Sequence, residues 1–406
     1  MTAYFPPDTG SASHLFYELG TSLAARGHEV TVLTSTPSYH VLGGISRYRG
    51  RLVKRETIHS IRVLRVYVPN LPPGIPMLRG LWQFCMAGVF FLASFLVRTP
   101  RVVLLYSPPL PLGLCALAFA RLRKTRLVVN VQDLFPQSAI DLKVLRNPLL
   151  IRFFEAIERF IYQKVDRITV QSPGNKAHVV GKGAKPDKVV ILPNWVDVDW
   201  VTPGEKDNEF SRENRLGGKF VVSFAGILGY SQDIDVIIGA ADILRAEETI
   251  EFLIVGDGVQ KERLQKRVKE KGLRNVRFLP MQPRSRYPLV LQASDVSLAT
   301  LRSDVRTPTM PSKIGSIMSA GIPVVAAMRL DGDAPRLIRE ADCGIVLDPE
   351  DPQALAEAIL RLYRDPSLCR KLGRNGRLYV EKNLSLRAAT DAYEQLFQSV
   401  LRDART

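Results

Sequence analysis

At 406 residues, with 46% hydrophobic and 24% charged residues, the chain is long enough for two globular domains and is neither disordered nor fibrous. Its formal net charge of +16 asks for an anionic partner, and charge alone leaves nucleic acid, an anionic membrane face and phosphate-bearing substrates open. Cys85, Cys115, Cys343 and Cys369 stand far apart and away from any histidine cluster, which argues against a disulfide framework or zinc site and for a reducing compartment.

The opening stretch MTAYFPPDTG has no basic region followed by an apolar core, so no secretory signal is read and the protein is expected to stay inside the cell. Little apolar sequence precedes the turn PPDTGSAS, so the first strand is expected to be stunted or cut short. SASHLFYELGTSLAARG then has helical spacing, and HEVTVLTS, IRVLRVYV, RVVLLYS, RLVVNVQDLF and RITVQSP read as strands separated by helices such as IRFFEAIERFIYQKV. That alternation predicts a parallel, doubly wound sheet.

Within this half, LRGLWQFCMAGVFFLASFLVR (78–98) holds about 16 apolar positions, short of the ~20 that span a bilayer. Flanked by Arg79, Arg98 and Arg101, it reads equally as a core helix or as an interfacial helix on an anionic membrane. KVVILPNWVDVDWVTP closes the half, and the polar run TPGEKDNEFSRENRLG (202–217) reads as a linker.

The same alternation restarts with KFVVSFAGI, IEFLIVGDG, VRFLP, DVSLATL, IPVVAA and CGIVLD. The expected division is 1–201, a linker at 202–217, a second domain over 218–385, and a final helix over 386–406 that packs back on the first domain. The long final helical run, from about Asp351 to Arg405, is expected to cross back and brace the first domain.

In open α/β sheets ligands gather beyond the carboxyl ends of the strands, and four loops fall there. Gly10 and Ser11 open the helix that carries His14; Gln132 and Asp133 follow a strand; Gly226 to Gln232 follow another; and TPTMPSK leads into Ile314–Ala320. Ser312 reads as the cap of that last helix and Lys313 as a cation at its mouth, suited to an anion or simply solvated. Arg302 and Arg306 lie just upstream as further cations or as ordinary surface arginines. Asp133 reads either as a base facing an acceptor hydroxyl or as a turn cap. The DVD at 197–199, DGD at 331–333 and GDG at 256–258 read as turns before metal sites, and the five histidines show no ligand or triad spacing. No aromatic and basic module for nucleic acid is visible.

Taken together, YFPPDTGSASH, VQDLFPQSAIDL, VVILPNWVD, SFAGILGYSQDID, FLIVGDG and PSKIGSIMSAGIPVVA resemble the bacterial glycosyltransferases of family 4, with the GT-B fold of two Rossmann-like domains. The branch most alike contains the L-fucosamine and colanic-acid-type transferases of surface polysaccharide synthesis. The resemblance implies transfer with retention, without metal or cofactor, from a nucleotide-sugar donor on the second domain to an acceptor on the first. An N-acetylated deoxyhexose on UDP, a polyprenyl-diphosphate-linked acceptor and a peripheral position on the cytoplasmic membrane face are the expected particulars.

From these loops Asp133 and Lys313 are expected to be catalytic, and the donor is expected to meet Gly10, Gly226, Gly229, Tyr230, Gln232, Gly256, Leu279, Ser312, Ile314 and Ser316. The acceptor is expected to meet Ser11, His14 and Gln132. Two departures stand out. The family's paired glutamates fall here on Pro308 and Ser316, and its Arg and Lys after the first strand of the donor domain fall on Ile227 and Gln232. Lys313 is expected to take over the diphosphate charge. A catalytically inactive relative that binds nucleotide or partners is the rival reading, and an epimerase of the same fold is a third.

Overall fold

The computed structural model describes residues 1–8, 11–37, 48, 50–69 and 76–403. The chain divides into two compact units, Met1–Trp195 with Leu386–Thr406, and Val196–Ser385.

The first unit runs α1 (Ser11–Ala25), β1 (Thr31–Ser35), β2 (Val53–Ile58), β3 (Ile61–Val66), α2 (Pro76–Ser94), β4 (Val102–Ser107), α3 (Pro111–Leu122), β5 (Arg126–Val131), α4 (Gln137–Asp141), α5 (Pro148–Lys164), β6 (Arg167–Val170), α6 (Pro173–Gly181) and β7 (Val189–Ile191). Strands β4-β5-β6-β7 form one parallel sheet and β1-β3-β2 a second. Between them lie the first residues of the chain. Thr2 N–H donates to the Leu33 carbonyl at 3.1 Å on one side, and Tyr106 N–H to the Met1 carbonyl at 3.0 Å on the other. The residues expected as a first strand, stunted or cut short, are thus hydrogen-bonded to both sheets.

β2 is absent from the sequence reading, and it runs antiparallel to β3 with Ile58 opposite Ile61. His59 and Ser60 supply the two positive φ values of the tight hairpin, 42° and 68°. Neither is the Asn-Gly pair that announces such a turn, which is why the hairpin is silent in sequence. Segment 78–98 has a buried and an exposed face, so its core-helix reading holds for one side. Met86, Ala87, Phe90 and Ala93 are buried in the core, while Cys85, Gly88, Leu92, Phe95 and Leu96 stay exposed.

The second unit runs α7 (Glu209–Glu213), β8 (Phe220–Ala225), α8 (Ile234–Ile243), β9 (Ile250–Val255), α9 (Lys261–Glu270), β10 (Val276–Leu279), α10 (Tyr287–Gln292), β11 (Val296–Thr300), α11 (Ser312–Ser319), β12 (Val324–Ala327), α12 (Asp333–Glu340), β13 (Gly344–Leu347), α13 (Pro352–Arg364) and α14 (Pro366–Asn383). Its six strands are all parallel in the order β10-β9-β8-β11-β12-β13. The winding reverses between β8 and β11, so their carboxyl ends flank the crevice where open sheets take ligands.

Three expectations about boundaries are corrected. The first unit ends at Trp195 and not at 201, because Val196 and Val201 are buried beside α11 and Arg377 donates to the carbonyls of Val198 and Val201 at 3.0 and 2.9 Å. The supposed linker 202–217 is packed structure: Phe210 and Leu216 are buried against Val221 and Leu253, and Asn208 caps α7 by accepting from Ser211 N–H. Two isolated apolar residues give no period to read. The long final helical run is three helices, broken where Asp365 caps α14 and where the chain re-enters the first unit as α15 (Leu386–Arg402), the helix expected from 386 onward.

Helix α15 is held on the first unit by polar as well as apolar contacts. Tyr393 packs with Leu15, Leu19 and Trp195, and its hydroxyl accepts from Asn130 Nδ2 at 2.9 Å. Asn130 Nδ2 also donates to Thr169 Oγ1 at 2.8 Å, and all three residues are buried. Arg26, just past the end of α1, reaches Asp391 and Glu394 on α15 at 2.6 Å each. The Tyr393→Phe variant leaves one buried Asn130 N–H without a partner, and a loss of about 1–3 kcal/mol is expected. Chemical denaturation of the two proteins side by side checks it; an unchanged midpoint rejects the role given to the hydroxyl.

Candidate functional site

In the second unit, the loops after β8 and β9 approach backbone to backbone, and glycine is what lets them. A Cβ at Gly256 would be driven into the Gly226 carbonyl, and one at Gly258 would lie 2.5 Å from the Leu228 carbonyl. Gly226 and Gly258 also hold φ of 155° and 152°, which side chains disfavour. Leu228 N–H donates to the Asp257 carbonyl at 2.8 Å and Gln260 N–H to the Leu228 carbonyl at 3.1 Å, closing the two loops together. Gly256 N–H donates to the Leu279 carbonyl at 3.1 Å, which engages that carbonyl within the fold.

Across the crevice, the loop after β11 is tied to the loop after β8 by Arg302 N–H donating to the Ser231 carbonyl at 3.1 Å. Helix α11 follows, and Lys313 in its first turn points back over the strand ends. Its Nζ stands 3.4 Å from the centre of the Phe224 ring and donates to Gln232 Oε1 at 3.3 Å. A Cβ on Gly226 would lie 3.1 Å from that Nζ. Gly226, Gln232 and Lys313, named from distant parts of the sequence, are therefore neighbours. Phe224 is missed by sequence reasoning, since nothing in SFAG distinguishes it from other core strand positions.

Lys313 is half-buried as a residue, with its ammonium end in the apolar part of the site. Desolvation pushes its pKa down to about 7. The ring face and the Gln232 carbonyl favour the cation, and among the described residues no carboxylate pairs with it within 4.0 Å. A lysine at Gln232 would repel this ammonium, whereas the glutamine accepts from it. Lys313 on α11 thus brings an ammonium to the loop after β8.

Other expectations change. Ser312 is no cap: it is exposed, the cap position is Pro311 with φ −59° and no side-chain bond, and Ser312 is the first helical residue. Ile314 is buried in the core behind the helix, so its side chain packs. Ser316 hydrogen-bonds Tyr287, a phenol pushed up to about 12 chiefly by burial. Tyr287 stacks on Trp200, whose other neighbour is the Arg284 guanidinium at 4.3 Å. Tyr230 is exposed and Gly229 open. Arg302 is paired with Asp304 at 3.0 Å. Ser303 donates through both its N–H and its hydroxyl to Glu350, at 3.1 and 2.7 Å.

In the first unit, Gln132 sits past β5, as expected, and every hydrogen-bonding position of its side chain is filled. Its Nε2 donates to Asn130 and Asn194 at 2.7 and 2.8 Å, and its Oε1 accepts from Gln171 and Asn194 at the same two distances. It is a strut of the amide network that ends at Tyr393. Asp133, next along, keeps part of its surface in solvent. Desolvation nonetheless raises its pKa above the usual range, against hydrogen bonds from Ser138 and the Leu134 N–H. His14 is half-buried on α1. Gly10 and the side chain of Ser11 lie outside the described residues.

The acidic turns are turns. Asp197 accepts from the N–H groups of Asp199 and Trp200, Asp257 from Gly258, and Asp331 pairs with Arg329. Among the described residues no group of three His, Cys, Asp or Glu is placed to hold a metal ion.

Comparison with known proteins agrees with this architecture. The Glycosyl transferase 4-like domain matches residues 10–195 and the Glycosyl transferases group 1 family matches residues 205–379. The chain belongs to the family 4 glycosyltransferases and has the GT-B fold. It is 27% identical over 389 residues to WcaI of Escherichia coli (strain K12), by its name a colanic acid biosynthesis glycosyl transferase, with 94% of each chain covered. Sucrose-phosphate synthase from Thermosynechococcus elongatus superposes with a TM-score of 0.75 at 17% identity, covering 99% of this chain and 96% of that one. Anabaena Alr3699/HepE, solved in complex with UDP-glucose, superposes with a TM-score of 0.70 at 16% identity, covering 98% and 100%.

The lysine has a signature in stability. Unfolded, it keeps its proton up to about 10.5; folded, it releases it near 7, so between those values the unfolded chain holds more protons and stability rises with pH. Lys313→Met should therefore melt higher than wild type at pH 7 and below, with the gap closing as pH rises towards 10. Melting curves across that range check it, and a gap independent of pH refutes the desolvated ammonium.

Proposed function

We propose that the protein transfers a sugar, with retention, from a nucleotide diphosphate donor to a lipid-linked acceptor in surface polysaccharide synthesis. The observation that carries the reading is the Lys313 ammonium, held at the switch point of the second unit's sheet beside Gly226 and without a carboxylate partner among the described residues. In such a transfer the bond from the anomeric carbon to the diphosphate breaks, the acceptor oxygen bonds to that carbon, and negative charge grows on the departing diphosphate. A fixed cation and the first-turn N–H groups of α11 stabilise that charge where it appears. The positive charge that a metal brings in other enzymes comes, in this reading, from the lysine.

A UDP-linked N-acetylated deoxyhexose and a polyprenyl-diphosphate acceptor are the proposed substrates, with WcaI's name and the UDP-glucose complex of Alr3699/HepE as supporting analogies. Asp133, with its raised pKa, is the proposed group that steers the acceptor hydroxyl and takes its proton. An acceptor with a lipid tail also implies work at the cytoplasmic membrane face.

Three measurements test the reading. Purified protein is incubated with a panel of nucleotide sugars, with and without a lipid-linked acceptor, and nucleoside diphosphate release is followed; absence of release from every donor favours the inactive relative. Lys313→Met should lower kcat/KM by roughly 10²–10³, the usual cost of one charge-stabilising donor. Because an arriving diphosphate restores the lysine's proton, UDP binding at pH 8 should take up nearly one proton per site. Titration calorimetry in buffers of different ionisation enthalpy reads that uptake, and equal heats in wild type and Lys313→Met defeat the assignment.

A further inference from the structure

From residue 57 to residue 132 the sequence contains no aspartate or glutamate. That stretch builds α2 and α3, two of the three long helices that lie together on the first unit, with α3 packed against both α2 and α5. Their outward faces are unusually apolar. On α2, Leu92 is 71% exposed, with Cys85 and Gly88 also exposed, and just past its end Phe95 is 38% exposed and Leu96 exposed as well. At the end of α3, Leu122 is 64% exposed.

The third helix repeats the pattern. On α5, Leu149, Phe153, Ala156 and Phe160 recur at helical spacing and are all exposed, Leu149 by 74%, while Phe154, Ile157, Ile161 and Tyr162 fill the buried face. Just before it, Leu142 and Val144 are exposed as well. The outer surfaces of α2 and α5 meet where Phe84 packs on Phe153, ring centres 5.9 Å apart. The apolar faces are thus continuous across two helices and do not belong to α2 alone.

Cations border this face. Arg98, Arg101, Arg121, Arg123 and Lys124 stand at one end, with the Arg123 guanidinium 5.1 Å from the Phe95 ring centre. Lys143, Arg146 and Arg152 stand at the other, all exposed, in a run from 142 to 154 that is also free of acids. Arg98 also lies 3.6 Å from the Glu29 carboxylate, the other cations of this border having no acid within ion-pair distance among the described residues. Exposed Leu and Phe inside this basic border match an anionic bilayer: the apolar side chains enter the headgroup boundary while the cations meet lipid phosphates. Among the described residues no helix is long and apolar enough to cross a membrane, so the contact lies on the bilayer and does not span it.

We propose that the outer faces of α2, the end of α3 and α5 form one membrane-docking surface for anionic lipid. It rests on the lipid-linked acceptor reading for its purpose, and on its own residues for its binding.

The test is sedimentation of the full-length protein with phosphatidylcholine vesicles, with and without about a third phosphatidylglycerol. Wild type should sediment with the anionic vesicles and be released by salt, because exposed charges are screened beyond about a Debye length. Leu92→Asp/Leu149→Asp should bind about tenfold less or weaker still, with an unchanged melting curve. Arg146→Gln/Arg152→Gln should weaken binding to anionic vesicles and leave binding to neutral ones as it was, which keeps the proposal exposed should the first variant misfold. Wild type that stays in solution with anionic vesicles at low salt overturns the proposal, as does undiminished binding by both variants. A patch that instead drives concentration-dependent self-association, lost in Leu92→Asp/Leu149→Asp, identifies a second copy as the occupant and overturns it too. UDP binding measured on the same proteins separates the two claims: vesicle binding without nucleotide binding sinks the transferase reading and leaves the surface standing, and the reverse sinks only the surface.

Discussion

The second unit is organised around a charge that the fold desolvates. An ammonium facing an aromatic ring and a glutamine carbonyl, with no acid to neutralise it among the described residues, costs folding energy at neutral pH. It persists only because surrounding elements fix it: α11 aims the side chain, Phe224 floors the site, and the glycines at 226, 256 and 258 keep the strand-end loops thin enough for it to fit. Such a cation is preorganised for an anion, since the desolvation that a diphosphate would otherwise have to overcome is already complete in the folded protein. With Ile227 and Gln232 uncharged, the positive charge beside this loop comes from Lys313 on α11, across the crevice.

The first unit solves a different problem. Its carboxyl-end loops are braced by amides instead of ions. Asn130, Gln132, Gln171 and Asn194 exchange hydrogen bonds until each position on Gln132 is filled, and Tyr393 closes the chain from α15. Buried polar networks of this kind are stable only when complete. Completion here requires a residue from the last helix, so the C-terminal segment is part of the first unit's core and its position is specified by polar as well as apolar contacts. Asp133 emerges beside this braced loop with a raised pKa and a partly open surface, which suits a group meant to handle a proton.

What could be read along the chain follows one line. Every strand with a strong apolar run was legible, because burial on both faces of a parallel sheet writes itself as continuous Val, Ile, Leu and Phe. β2 was not, since VKRETI is a charged edge strand with an unadvertised turn. Phe210 and Leu216 were hidden for a related reason: a pair of anchors can fix a loop without periodicity. Among site residues, the sequence could nominate Lys313 from its place in a helix mouth, yet it misread Ser312 as the cap, because Pro311 takes the cap position with its own backbone angles.

By itself, then, the sequence determined the two α/β halves and the family, and it nominated the strand-end loops and Lys313 as candidates, all of them local or periodic properties of the chain. The tertiary structure alone decided that Lys313 faces Phe224 and Gln232, that Ser316 is engaged by Tyr287, that Gln132 has no bond to spare, and that α2 is apolar on both its buried and its exposed side. Those are outcomes of which distant segments meet, and desolvation and hydrogen-bond saturation exist only once they have met.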